Sequence, residues 1–226
     1  MALVDDDEYF FALKVRPDQM DRLWAEGWRH FGWYFFRYRT AVHGGGRYTV
    51  LPLRIDLPRF APSRGQRRVL AKNRDARVVV RDAFLDEEKH RLFARHARRF
   101  REDVPTSLHT FLSPTPASIP CPNRELAVFL DGRLAGVTFL DIGRSATSAV
   151  YAIFDPDDEA RSLGIFMMLE SIRYSRELGC RHYYHGYAYR EPFVYDYKKR
   201  FSAVEYLRWG AGWRELAAEG GGESPE

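Results

Sequence analysis

The sequence predicts a mixed α+β fold, and three observations carry the prediction. Residues 145–206 run strand, loop, helix, strand, helix: Val150, Tyr151, Ile153 and Phe154 are β-rich, Asp155–Ser162 is polar and turn-rich, and Ile165, Met168, Leu169 and Ile172 share one helical face. Upstream, Asp131-Gly132 joins two apolar runs, which is a hairpin signal. Asp86 followed by Glu87 and Glu88 opens a charged helix as an N-cap with an acidic first turn should.

In chain order, residues 17–31 show Met20, Leu23, Trp24, Trp28 and Phe31 at helical spacing, with Gly32 as the stop. Residues 33–39 and 47–57 are expected as strands of a hairpin around His43-Gly-Gly-Gly46. Residues 66–74 are basic, without a clear period. A strand at 76–80 precedes the helix at 86–101, and a short helix is expected at 105–112. Four prolines make 113–123 a surface connection. Strands at 125–130, 134–142 and 147–154 form a meander. A helix over 164–178 closes at Gly179, a strand covers 182–187, Pro192 starts a second helix, and 203–209 is a last strand. An antiparallel meander followed by a βαβ crossover is the order of the GNAT acyltransferase fold. The expected division is an N-terminal piece at 1–75, a GNAT-like domain at 76–212, and a Gly- and Glu-rich flexible tail at 213–226.

Composition narrows the class. The 226 residues are 45% hydrophobic, enough for a sizeable core, and the net charge is +4. Two distant cysteines, Cys121 and Cys180, make neither a disulfide framework nor a four-thiolate metal site. No apolar run is long enough for a membrane span, and the acidic N-terminus is unlike a signal peptide. The expected compartment is the cytoplasm.

The excess positive charge is concentrated. Arg59, Arg64, Arg67, Arg68, Lys72, Arg74, Arg77 and Arg81 face one acid, Asp75. Such a run attracts phosphate, although many charge runs are only solvated faces. Arg161-Ser-Leu-Gly164-Ile-Phe166 partly matches the coenzyme A loop of acetyltransferases; Phe166 replaces a small residue and is expected to crowd a pyrophosphate unless it turns into the core. Six tyrosines between Tyr183 and Tyr197 offer a stacking surface, with strand packing as the plainer role for most. His182 and His185 point to opposite faces of a strand and do not share a metal.

These fragments together resemble the arginyl-tRNA–protein transferase family, including its bacterial leucyl-transferring branch. Gly27-Trp28-Arg29 is similar to the family's G-[WF]-R-R segment, and Phe60-Ala-Pro-Ser-Arg-Gly-Gln-Arg-Arg68 to its F-x-P-S-[RK]-S-Q-R-R. Ser148-Ala-Val-Tyr151, Phe154-Asp-Pro156, Ser162-Leu-Gly164, Tyr183-Tyr-His-Gly-Tyr187 and Tyr197-Lys198 with Phe201 continue the match through residue 207. The resemblance implies transfer of an amino acid, Arg or Leu, from aminoacyl-tRNA to the N-terminal amine of a protein beginning with an acidic residue. The family's cysteine cluster has no counterpart in residues 40–54, so neither metal nor other cofactor is expected.

Site residues follow from those motifs. Ser63, Arg64, Gln66, Arg67, Arg68, Tyr151, Ser162, Leu163, Gly164, Tyr184, Tyr187 and Lys198 are the expected substrate-binding positions. Lys198 and Arg64 are candidates to pair an acidic acceptor, and backbone N–H groups around residues 151–154 to hold the oxyanion. Tyr195 or Tyr197 is the candidate acid for the leaving ribose oxygen. Asp155 is the candidate acceptor of the amine proton, with capping of its loop as the equal alternative. Two other readings stay open: an acyl-coenzyme A N-acyltransferase acting on a small amine, and a non-catalytic tRNA- or degron-binding module.

Overall fold

Strand pairing among distant segments decides the architecture. We describe the protein from a computed structural model, which covers residues 8–100 and 104–216. The strands are β1 (Glu8–Phe11), β2 (Arg29–Phe31), β3 (Tyr34–Arg37), β4 (Thr40–His43), β5 (Gly46–Asp56), β6 (Arg77–Asp82), β7 (Asn123–Leu130), β8 (Arg133–Ile142), β9 (Ala146–Phe154), β10 (His182–Tyr189), β11 (Val204–Arg208) and β12 (Gly212–Glu215). The helices are α1 (Pro17–Ala25), α2 (Arg64–Lys72), α3 (Glu87–Ala97) and α4 (Leu163–Glu177). One large sheet has the order β12-β11-β5-β10-β9-β8-β7-β6, with β4 paired to β5; β1, β3 and β2 form a separate three-stranded sheet. All pairings in the large sheet are antiparallel except β9 with β10.

Alternation along the strands sets two layers. Ala127 and Val137 pack with Leu92 and Phe93 of α3, whereas Val128 packs with Leu163, Phe166 and Met167 of α4. Successive residues of a strand point to opposite faces, so α3 and α4 lie on opposite sides of the sheet. Helix α2 lies against α4. On the α3 side, Met20 and Trp24 of α1, Phe35 of β3 and Tyr184 of β10 share one cluster.

Several expectations change. The helix at 17–31 stops at Ala25, because Gly27 turns at φ 87°, and Arg29–Phe31 becomes a strand. A Cβ at Gly27 would lie 2.9 Å from both Leu207 and Trp209, so the turn is packed as well as strained. The glycine turn joins β4 to β5, while residues 34–37 pair with β1 and β2 instead. The basic segment of uncertain structure is α2, and Pro192 does not open a helix; a 3-10 turn forms at Asp196–Arg200. The division at residue 75 does not match the packing. Strand β5, with Val50, Leu53 and Ile55 fully or almost fully buried, needs neighbours on both edges and finds them in β10 and β11. Residues 213–215 belong to β12, and 217–226 lie outside the described residues.

Burial also sets an acid limit. It depresses His96 and His182 to about 4, and His185 to about 3. An unfolded histidine titrates near 6.5, so below that pH the unfolded chain takes up protons that the folded chain refuses. Stability is therefore full above about pH 6.5 and declines as the pH falls toward 4. The melting temperature should drop across that window, and His96→Gln should flatten part of the drop. A melting temperature constant from pH 7 to pH 4.5 would contradict it.

Candidate active site

Strands β9 and β10 run parallel for three residue pairs and then part. The pairs are His182 with Ala146, Tyr183 with Thr147, and Tyr184 with Ser148. Each strand carries a bulge at the point of separation. The register of β10 against β5 shifts between Tyr184 and Gly186, and Leu140 pairs with Ala149 where Phe139 pairs with Tyr151. An extra residue bends its strand, so two bulges facing one another open a gap inside the sheet. Gly186 sits at φ 95° in this bend.

Two basic side chains enter the gap. Arg29 donates to Ser148 Oγ and to the Ala149 carbonyl, both on β9 at the divergence. Lys198 donates from Nζ to the Tyr187 carbonyl at 3.0 Å, on the other lip. A Cβ at Gly186 would stand 3.1 Å from Lys198 Nζ and 4.0 Å from Arg29 Nη2, so the glycine leaves the space both side chains use. Among the described residues, neither cation has a carboxylate within ion-pairing distance. Burial and the Arg29 charge bring the Lys198 amine down to about 7, and burial lowers Arg29 below the usual guanidinium range. Unpaired, desolvated charges are costly, and such clusters mark binding or catalytic positions.

Phenols form the rim. Lys198 Nζ lies 4.9 Å from the centre of the Tyr195 ring. Tyr151 stacks on Phe111 at 3.7 Å, its hydroxyl buried without a hydrogen-bond partner among the described residues. Burial, then the neighbouring Tyr195, raise both Tyr151 and Tyr197, so these phenols keep their protons at neutral pH. Tyr187 donates to the Gly27 carbonyl at 2.6 Å and ties β10 to the turn before Arg29.

Thus Tyr151, Tyr187, Tyr195, Tyr197 and Lys198 are brought to the gap, and other expected residues are not. Tyr184 lies in the α1 cluster beside Trp24 and Trp213. Ser63 and Gln66 form a capping box: Ser63 Oγ accepts from the Gln66 N–H at 3.2 Å, and Gln66 Oε1 accepts from the Ser63 N–H at 2.8 Å. Arg64, Arg67 and Arg68 line the exposed face of α2. Ser162 precedes α4 in the left-handed region, Leu163 is core, and a Cβ at Gly164 would press on the Phe154 ring at 3.2 Å. Phe166 points into the core, so it does not obstruct the loop, and its bulk is no argument against coenzyme A.

Asp155 is also placed differently. Its Oδ2 accepts from Arg95 at 3.0 Å and Arg133 at 2.8 Å, and its Oδ1 from the Asp157 N–H at 3.2 Å. These contacts make it the anchor of its loop, beside a cleft of about 440 Å³ that also includes Arg91 and Glu88. Its oxygens are engaged, and the base role is withdrawn. Arg29 is a candidate site residue that sequence reasoning did not single out; its signal was the G-W-R fragment, read there as helix.

One other buried trio merits comparison. His30, Cys121 and Asp141 place possible metal-ligand atoms within 4.8 Å of one another. The carboxylate is already used, by His30 Nε2 at 2.6 Å and by Asn123 Nδ2 at 2.8 Å, and the other His30 nitrogen meets the Gly32 carbonyl. These hydrogen bonds engage both His30 nitrogens and both Asp141 oxygens.

Comparison with known proteins converges on the same chemistry. A family model described as "Arginine-tRNA-protein transferase, C terminus" matches residues 88–208. The aspartate/glutamate leucyltransferase of Marinobacter nauticus is 33% identical over 201 residues, 88% of this chain and 82% of the relative. Its counterpart in Chromohalobacter salexigens is 34% identical, over 86% of this chain and 78% of the relative. That of Leptospira interrogans is 30% identical, over 88% and 78%. With a family match over more than half its length and relatives of this similarity along most of it, the chain belongs to the arginine-tRNA-protein transferase family, the aminoacyl-tRNA–protein transferases.

Proposed function

We propose that this enzyme transfers leucine from leucyl-tRNA to the N-terminal amine of proteins that begin with Asp or Glu. The observation that carries this is the pair of basic side chains, Arg29 and Lys198, in a gap between parting strands with no carboxylate among the described residues to pair them. An acceptor that brings its own carboxylate completes the site. The parted parallel strands beside α4 fit a GNAT-like catalytic layer, with the aminoacyl ester seated in the gap. Leucine is favoured over arginine by the names of the relatives, which are leucyltransferases.

The chemistry is ester aminolysis. Placement of both substrates supplies much of the rate. Backbone N–H groups of β9 beyond Ser148, released from pairing with β10, are the candidates for the oxyanion. Tyr195 or Tyr197 supplies the proton to the departing ribose oxygen. The exposed arginines of α2 supply phosphate contacts for the tRNA.

The test offers labelled leucyl- and arginyl-tRNA with peptides starting in Asp, Glu, Asn or Ala. Leucine should pass to the Asp and Glu peptides. Arg67→Ala with Arg68→Ala should reduce the slope of log affinity against log salt by about 1.5. Absence of transfer from either tRNA, together with thermal stabilisation by acetyl-coenzyme A, would replace this reading with an acyl-coenzyme A transferase.

A further inference from the structure

Aminolysis at neutral pH has a proton problem. An α-amino group titrates near 8, so the acceptor arrives mostly as an ammonium, which is no nucleophile. The group that removes its proton must lie in the gap, hold a lone pair, and face no better use of it. Asp155 is committed to Arg95 and Arg133. Burial raises the phenols Tyr151 and Tyr197, so they retain their protons. His185 is packed behind the bulge, with Nε2 at 3.2 Å from the Lys198 carbonyl.

Lys198 remains. Its side chain comes from the turn that follows β10, and its amine reaches across Gly186 toward Arg29 of β2. The groups that face it are Arg29, the Tyr187 carbonyl and the Tyr195 ring, with His185 beyond. Arg29 in turn feels Tyr187, Asp141, Tyr183 and Tyr38, none of which forms an ion pair with it. A second positive charge in this setting is resisted by burial and by Arg29. A carboxylate placed between the two would reverse that balance.

We propose that Lys198 is the proton acceptor for the α-ammonium of the acceptor protein, and that the side-chain carboxylate of an N-terminal Asp or Glu, seated between Arg29 and Lys198, enables it to act. This rests on the transferase reading above. Lys198 enters uncharged, consistent with its amine titrating at about 7 in the empty site. It takes one proton from the ammonium as the carboxylate arrives to stabilise the resulting cation. The freed amine attacks the aminoacyl carbonyl carbon, a C–N bond forms, and the C–O bond to the ribose breaks. Of the ammonium's three protons, one is on Lys198, one replaces the proton that Tyr195 or Tyr197 gives to the ribose oxygen, and one stays on the new amide. Lys198 returns its proton to water when the product departs. Acidic acceptors are then preferred because they switch on the base, as well as because they bind.

The pH dependence of kcat/KM for an Asp-starting peptide tests this. The active pair carries one proton shared between Lys198 and the acceptor amine. The wild-type profile should therefore rise through about 7 and, above about 8, where the acceptor amine arrives free and Lys198 carries no charge for the carboxylate, fall to the rate that Lys198→Met supports. Lys198→Arg keeps a charge for the carboxylate but cannot accept a proton. Lys198→Met can do neither. In each variant the acceptor must arrive already deprotonated, and the profile should rise only near 8, to a maximum below that of the wild type. A Lys198→Arg variant whose alkaline rate matches or exceeds the wild-type maximum overturns the proposal, because the charge alone then suffices. So does a rise through about 7 that survives in Lys198→Arg. If the wild type transfers from neither leucyl- nor arginyl-tRNA to any peptide, the transferase reading fails and the inference with it.

Discussion

Arg29→Met should lower kcat/KM for Asp- and Glu-starting acceptors about a hundredfold. The loss for an Asn-starting peptide should be much smaller. Truncating one member of a desolvated charge pair costs about 2–5 kcal/mol, and 2.7 kcal/mol is roughly a hundredfold. Methionine keeps most of the bulk in the gap but removes the charge and the hydrogen bonds to Ser148 and Ala149. Because Arg29 also depresses Lys198, the variant's lysine should titrate higher. The ratio of acidic to neutral acceptors is the decisive readout. If Arg29 does no more than hold β9 and β10 apart, all acceptors suffer alike and the ratio stays at the wild-type value.

The largest expected effect on stability lies elsewhere. Lys89 of α3 and Glu125 of β7 are wholly buried, with Nζ 3.2 Å from Oε2. Arg81 meets the other oxygen of Glu125 at 2.7 Å, and the Phe84 ring lies 3.2 Å from the ammonium. Lys89→Met leaves Glu125 charged and under-compensated in the core, a change worth about 3–5 kcal/mol. For a chain of this size that is a drop of roughly 10 °C in melting temperature. Adding Glu125→Leu removes the stranded charge and should recover most of the loss. A single Lys89→Met variant that melts with the wild type would show that water and Arg81 suffice to compensate Glu125.

The sequence spoke most clearly where the physics is local. Asp86 caps α3 by accepting from the Lys89 N–H at 2.9 Å, and Asp131-Gly132 turns β7 into β8 with both residues at positive φ. Both are decided by side chains within a few positions. Within the site, Lys198 and the tyrosines stood in motif fragments of a dense aromatic stretch. Arg29 was hidden by coincidence of spacing: Met20, Leu23, Trp24, Trp28 and Phe31 fit a helix, although the last two lie beyond the Gly27 turn. A strand of three residues is too short to show its own period. Ser63 and Gln66 also form a local capping box, and a capping box and a substrate-binding motif can use the same residues. The gap itself depends on two bulges, and a bulge exists only relative to a partner strand.

The place of β5 has a consequence for how the protein is made. Its Asp56 pairs with His182, and its Ile55 with both Tyr183 and Val204, partners more than half the chain away. Once β5 leaves the ribosome it must therefore wait, with its apolar residues unsatisfied, until β10 and β11 have been synthesised. Contacts this distant slow folding through loop-closure entropy. Variants that weaken β10 or β11 should betray themselves first as poor yield during expression, with β5 the segment left exposed to chaperones and to other nascent chains.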